Sequence, residues 1–257
     1  MKKIMLIAAA VFGCAVHCSS ANIHLAGDST CATRNPPRKF FLNGRVYRQT
    51  GWGEVLNKFC KDEFKVCNLA AGARSSKSFI AEGRWKNLLN GAKPGDYVVV
   101  QFGHNDNHQG PRKADVYTNP ETTYKDFLRI YAKDAKAKKL NLIFATPVPC
   151  CKFNKAGKVV AHLNLPAYRK AMLEVGKELG IPVVDLYQAM SVKLEKIGEV
   201  ESQKFYMFIK VGEYPNLNLK KDLKDCVHLQ EAGALEVAKT FTEECKRIKL
   251  DIAKCFK

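Results

Sequence analysis

Ile23-His24-Leu25-Ala26-Gly27-Asp28-Ser29-Thr30 is the stretch whose reading decides the fold. A short apolar run leads into a glycine and three small polar residues, which predicts a buried strand leaving through a tight turn. Working outward, comparable runs recur at Phe64 to Leu69, Tyr97 to Phe102, Leu142 to Ala145 and Ile181 to Val184. Between them the apolar spacing turns helical. Tyr124, Phe127, Leu128, Tyr131 and Ala135 share one face, with Asn119-Pro120 expected as cap and first turn. Pro166 opens a helix carrying Ala171, Met172, Val175 and Leu179, which Gly180 stops, and a last helix carries Leu235, Ala238, Phe241 and Cys245. Strand and helix alternating about five times predict an α/β chain, a three-layer α/β/α sandwich around a parallel sheet of about five strands.

The composition agrees with one folded unit. The 257 residues are 46% apolar and 26% charged, enough to bury a core and unlike a disordered chain. Ile4 to Val16 is the longest apolar run; it follows Lys2 and Lys3 and precedes Ser19-Ser20-Ala21. These are the three parts of a signal peptide, too short to span a bilayer comfortably. Residues 1–21 are therefore expected to be a leader and 22–257 a single mature domain, secreted or periplasmic. Val11-Phe12-Gly13-Cys14 offers the alternative of a lipid-attachment box, which Phe12 fits badly.

Eight cysteines remain after cleavage: Cys31, Cys60, Cys67, Cys150, Cys151, Cys226, Cys245 and Cys255. An even number in an exported chain suggests disulfides. Cys60 with Cys67 and Cys245 with Cys255 are the simplest pairings, because each closes a short loop; Cys31 with Cys226 is a further option, and eight cysteines allow about 105 complete pairings, which the sequence leaves open. A zinc site is not expected, because no C-x2-C pair occurs and Cys150-Cys151 is poor ligand spacing. The net charge of +17 falls only to +15 without the leader, so the mature domain itself attracts polyanions. Export makes an acidic polysaccharide the more natural partner than nucleic acid, for which no motif is present.

In open parallel sheets the reacting groups gather at the carboxyl ends of the strands. Ser29, on the turn after the first strand, is placed as a nucleophile. The small residues of Asn68-Leu69-Ala70-Ala71-Gly72-Ala73-Arg74-Ser75 let a backbone N–H approach a developing oxyanion. Asn105, in Gln101-Phe102-Gly103-His104-Asn105-Asp106, can aim an amide N–H at the same atom. Asp225 stands three residues before His228 and can fix its tautomer, leaving the other ring nitrogen as general base. His104 and His108 are four apart, but no third ligand accompanies them, so no metal is expected. Each segment alone is equally well an ordinary turn; their common position after strands or before a helix is what selects the catalytic reading.

These blocks resemble the SGNH (GDSL-type) hydrolase superfamily. Within it the chain is most similar to the rhamnogalacturonan acetylesterase family, through Leu25-Ala26-Gly27-Asp28-Ser29-Thr30, Gly51-Trp52-Gly53-Glu54, Arg74-Ser75-Ser76-Lys77-Ser78-Phe79, Glu82-Gly83-Arg84-Trp85, Phe102-Gly103-His104-Asn105-Asp106 and Thr146-Pro147-Val148-Pro149. The resemblance implies a flavodoxin-like fold and a secreted esterase, working without a cofactor, that removes acetyl groups from pectic polysaccharide. Carried over by position, Ser29 is the nucleophile, His228 the acid/base and Asp225 its orienting carboxylate. Ser29 N–H, Ala73 N–H and the Asn105 amide form the oxyanion hole. The family's glycine immediately before Arg-Ser is Ala73 here, with Gly72 one place earlier, so Gly72 is held in reserve; a position of positive φ would disfavour alanine.

Asp28, Arg74, His104 and Lys224 are candidate substrate contacts, with a structural role the alternative for His104. Arg74, Lys77 and Arg84 follow the second block and Lys220, Lys221 and Lys224 precede Asp225, which suits a galacturonate-containing backbone. The partner expected is therefore an acetylated acidic polysaccharide bound by a monomer, with no membrane span. The competing readings are an esterase of the same superfamily acting on another acetylated glycan or a lipid, and a non-catalytic glycan-binding protein on the same fold.

Overall fold

The computed structural model describes residues 21–34, 39–42, 45–110, 113–213 and 219–257. The expected leader, apart from Ala21, lies outside the described residues. Five parallel strands form the central sheet: β1 (Ile23–Gly27), β4 (Val66–Asn68), β5 (Tyr97–Gln101), β6 (Asn141–Ala145) and β7 (Val183–Val184), in the order β4-β1-β5-β6-β7. The order reverses at β1, because β4 pairs on one side of it and β5 on the other. Such a switch point opens a crevice at the strands' carboxyl ends. Two antiparallel ribbons flank the sheet, β2 (Lys39–Leu42) with β3 (Arg45–Arg48) and β8 (Tyr206–Ile209) with β9 (Leu223–Leu229).

Alternation along the strands sorts the core into two halves. Ile23, Leu25, Tyr97, Val99, Ile143 and Ala145 face one layer, packed with α1 (Trp52–Val55), α6 (Leu186–Ile197) and α8 (Glu231–Arg247). Ala26, Val98, Val100, Leu142 and Phe144 face the other, against α2 (Ser76–Ala81), α3 (Arg84–Gly91), α4 (Thr123–Ala137) and α5 (Leu165–Leu179). A short α7 (Glu199–Gln203) precedes β8. Because both faces of β1 and β5 are covered, every residue of each is buried, which is why their sequences read as largely apolar runs, with His24 and Gln101 the polar exceptions.

Two expectations change. α4 begins at Thr123, not at Asn119-Pro120. The Asn119 side chain accepts from Glu121 N and its carbonyl from Thr122 N and Tyr124 N, so these residues close a turn before the helix starts. The stretch from Lys204 to Lys224, rich in Lys, Asn and Tyr, reads in sequence as a surface loop beside the site, but Tyr206–Ile209 within it forms a strand. Tyr206, Met207 and Ile209 are buried, and this apolar set makes β8 and docks β9 beside the sheet.

The eight cysteines are all free thiols. Cys60 forms a backbone bridge with Phe256, next to Cys255, while Cys67 sits on β4 in register with His24. Cys31 is buried, and Cys226 instead hydrogen-bonds the Cys150 thiol. Folding has thus sent several of the expected partners to other neighbours.

Candidate active site

The turn after β1 is set by contacts. A Cβ at Gly27 would lie 3.0 Å from both Cys31 Cβ and the Gln101 carbonyl, so glycine is required by close approach. The Asp28 carboxylate accepts from Thr30 N at 2.9 Å and Thr30 Oγ1 at 2.8 Å, closing the turn. Its other oxygen meets His104 Nδ1 at 3.1 Å, and His104 Nε2 donates to the Val148 carbonyl at 3.0 Å. Burial alone would raise the Asp28 pKa; the charge and hydrogen bond of His104, with those of Thr30, hold it below the ordinary value. Trp52 Nε1 donates to Gln101 Oε1 at 3.1 Å, and Thr30 Oγ1, whose one proton goes to Asp28, lies 3.1 Å from the same oxygen, so Gln101 holds α1 and the turn at the end of β5.

Ser29 rides on this turn, facing β9. His228 Nε2 lies 3.0 Å from Ser29 Oγ, and His228 Nδ1 lies 2.7 Å from Asp225 Oδ2. Asp225 Oδ1 also accepts from Val227 N at 2.9 Å and His228 N at 3.0 Å, which fixes the carboxylate. Burial pulls the Asp225 pKa up, but the hydrogen bond and charge of His228 and the two backbone donors bring it below 3.8. Both Asp225 and His228 lie within β9, so a rigid ribbon presents them.

The second block folds against the same point. Ala71 N donates to the Gly27 carbonyl at 2.9 Å, so the Gly72-Ala73 turn lies beside Ser29, and a Cβ at Gly72 would sit 3.9 Å from Ser29 Cβ. Ala73 has φ of 62°, whereas Gly72 lies outside the positive-φ set. Alanine occupies the left-handed position itself. The N–H groups of Ser29, Gly72 and Ala73 have no hydrogen-bond partner among the described residues. Asn105 gives one amide proton to the Arg74 carbonyl at 3.1 Å, which orients the amide and leaves its second N–H free.

The four candidate substrate contacts divide. Asp28 and His104 are 0% and 3% exposed and their polar atoms are partnered inside the protein. They brace the turn and do not face solvent, a correction that follows from the pull of the Thr30 and Val148 groups. Arg74 pairs with Glu82 at 2.9 Å and donates to the Gly72 carbonyl at 2.9 Å, so it is partly neutralised while shaping the turn. Arg84 shares Glu82 at 2.7 Å, and Lys77 donates to the Ala114 carbonyl at 2.8 Å. Lys224, with Lys220 and Lys221, is exposed and makes no ion pair among the described residues.

Two residues without a role in the sequence reading also build the site. Gln101 joins Trp52 to Thr30, as described above. Asp106, fully buried, accepts from Ser76 Oγ at 2.5 Å, Ser76 N at 3.2 Å and Thr118 Oγ1 at 2.9 Å, locking the start of α2 to the loop after β5. Their signal was position, each lying at or just beyond the end of β5. A cavity of about 890 Å³ lies at the other end of the sheet, lined by Tyr97, Arg129, Asn141, Pro182 and Asp251 among others, and contains none of these groups.

The sequence profile of the GDSL-like Lipase/Acylhydrolase family matches residues 25–234, a span that contains the Ser29 turn, the Asn105 loop and the Asp225-His228 ribbon. The chain belongs to that family. It is 34% identical over 230 residues to rhamnogalacturonan acetylesterase RhgT of Bacillus subtilis (strain 168), covering 90% of this chain and 91% of that protein. Probable rhamnogalacturonan acetylesterase YesY of the same strain is 32% identical over 231 residues, with 90% and 95% covered. Among solved structures, Bacillus subtilis YxiM matches with a TM-score of 0.69 at 27% identity, over 90% of this chain and 57% of that one. An acetylxylan esterase from Geobacillus stearothermophilus has a TM-score of 0.59 at 18% identity, over 88% and 94%, a likeness of fold alone. The GDSL-family membership and the α/β/α sheet agree with the architecture expected from the sequence.

Proposed function

We propose that this protein is an exported serine esterase that removes acetyl groups from a rhamnogalacturonan-type pectic polysaccharide. The observation that carries the reading is the chain of contacts from Asp225 through His228 to Ser29 Oγ, at 2.7 and 3.0 Å, beside the Gly72-Ala73 turn, where the N–H groups of Ser29, Gly72 and Ala73 have no hydrogen-bond partner among the described residues. The substrate class rests on the two acetylesterase relatives and on the exposed lysines before Asp225, which make no ion pair among the described residues.

In the first step Ser29 Oγ attacks the acetyl carbonyl carbon as its proton passes to His228 Nε2. Asp225 holds the imidazolium. The oxyanion of the tetrahedral intermediate is met by the N–H of Ser29, that of Ala73 or Gly72, and the Asn105 amide. The carbon–oxygen bond to the sugar then breaks, His228 gives the proton to the departing sugar oxygen, which leaves as a hydroxyl, and acetyl-Ser29 remains. Water attacks this ester through the same base, releasing acetate and restoring Ser29. Nothing in the sequence calls for a cofactor.

Acetate release from acetylated rhamnogalacturonan tests the reading. Ser29→Ala is expected to lose activity by at least about a thousandfold, retaining binding, in line with removal of a triad nucleophile. Turnover by this variant at the parent rate, or wild-type preference for acetylated xylan or a lipid ester over the pectic substrate, overturns the assignment.

A further inference from the structure

Outside the triad, two thiols and an imidazole from three separate stretches of chain come together. Cys150 Sγ, Cys226 Sγ and a ring nitrogen of His162 all lie within 4.8 Å of one another, the one such group of metal-capable donors among the described residues. Cys150 ends the Thr146-Pro147-Val148-Pro149 segment and is buried; Cys226 and His162 are half-buried. The frame around them is fixed by backbone. Cys151 N donates to the Cys226 carbonyl at 2.8 Å, and Val160 N donates to the Lys152 carbonyl at 2.9 Å, with a Phe153–Val159 bridge closing the loop that returns towards His162. The two thiols hydrogen-bond each other, whereas neither ring nitrogen of His162 has a hydrogen-bond partner among the described residues.

We infer that Cys150, His162 and Cys226 form a binding site for zinc or another thiophilic divalent cation, distinct from the Ser29 centre. Tetrahedral zinc takes thiolate at ~2.3 Å and imidazole at ~2.0–2.1 Å, which requires neighbouring donors roughly 3.5–4 Å apart. The observed spacing needs only a small contraction. Two sulfurs and one nitrogen are the soft donor set that selects such ions over magnesium or calcium, and the fourth position is left to water. Binding releases the thiol protons. The surroundings are mixed in charge: Asp225 favours a cation while Lys152 opposes one. Tyr187 and Tyr206 stand near Cys150 on the inner side. Because Cys226 follows Asp225 directly on β9, a bound ion would tie the ribbon carrying the triad carboxylate and imidazole to the loop after β6. The site rests on no assumption about the esterase substrate.

The test is zinc binding to the purified, reduced full chain, read by competition with a chromogenic chelator and by elemental analysis. One zinc per chain is expected, with a higher melting temperature. Co²⁺ in its place should show sulfur-to-metal charge-transfer absorption. His162→Ala and Cys150→Ser should each weaken affinity by at least about tenfold, since even outer-shell changes at metal sites cost about 10–100-fold. Cys67→Ser, away from the cluster, should bind as the parent does. His162 is only half-buried, so its alanine variant tests the proposal even if a cysteine variant misfolds. Zinc bound equally well by the His162→Ala protein, absence of stoichiometric binding, or a Cys150–Cys226 disulfide in the protein as secreted overturns the proposal.

Discussion

At Ala73 a single side chain shows how the site trades stability for position. A φ of 62° costs an L-residue with a Cβ roughly 1–2 kcal/mol, which the contacts of Arg74 and Ala71 on either side hold in place. Ala73→Gly should therefore raise unfolding free energy by about 1 kcal/mol, after glycine's own entropic cost, with esterase turnover retained. A fall in the urea midpoint would show that the left-handed turn is not strained. Asn105 is the complementary case, since its orientation depends on one hydrogen bond to the Arg74 carbonyl. Asn105→Ala should reduce kcat by about 10²–10³ with KM little changed, because the lost donor acts on charge that develops only in the transition state. An effect confined to KM would reassign Asn105 to ground-state binding.

Among the elements, α2 and the loop after β5 are joined by one buried carboxyl group. Burial raises the Asp106 pKa from 3.8 to about 6, despite the opposing hydrogen bonds from Ser76 and Thr118. In the unfolded chain the group ionises near 3.8, so the native state holds a proton that the unfolded state has released between these values. Stability from this residue is present below about pH 3.8 and is lost as pH rises through about 6. Asp28 and Asp225 act in the other direction, since their pKa values are lowered and their contribution is lost as pH falls. The difference in unfolding free energy between Asp106→Asn and the parent should thus shift in favour of the variant from pH 4 to pH 7, approximate bounds set by these ionisations. Urea titrations at several pH values measure it; a difference that stays flat would place Asp106 ionisation outside this window.

At the scale of the molecule the excess positive charge should act on substrate capture. Lys220, Lys221 and Lys224 are exposed at the start of the strand that carries His228 and make no ion pair among the described residues. Raising ionic strength from about 0.1 to about 1 M shortens the Debye length from roughly 10 to 3 Å. The kcat/KM for an acidic pectic fragment should fall severalfold over that range, while that for a neutral acetyl ester stays nearly level; equal sensitivity would remove charge from the recognition. How much of this was legible beforehand depends on the range of the interactions involved. The largely apolar runs of β1 and β5 and the helical face of α4 announced a covered parallel sheet, because periodicity is local and burial follows from it. The serine turn, the Asn105 loop and the Asp225-His228 pair were legible for a related reason, since each is a contiguous block with its own chemistry. The start of α4 was misplaced because Asn119 could serve equally as a cap or a turn, and its carbonyl contacts chose the turn. The inward facing of Asp28 and His104 also came from packing. The meeting of Cys150, His162 and Cys226 did too, since those residues are far apart along the chain and only the docking of β9 against the loop after β6 brings their donor atoms within reach.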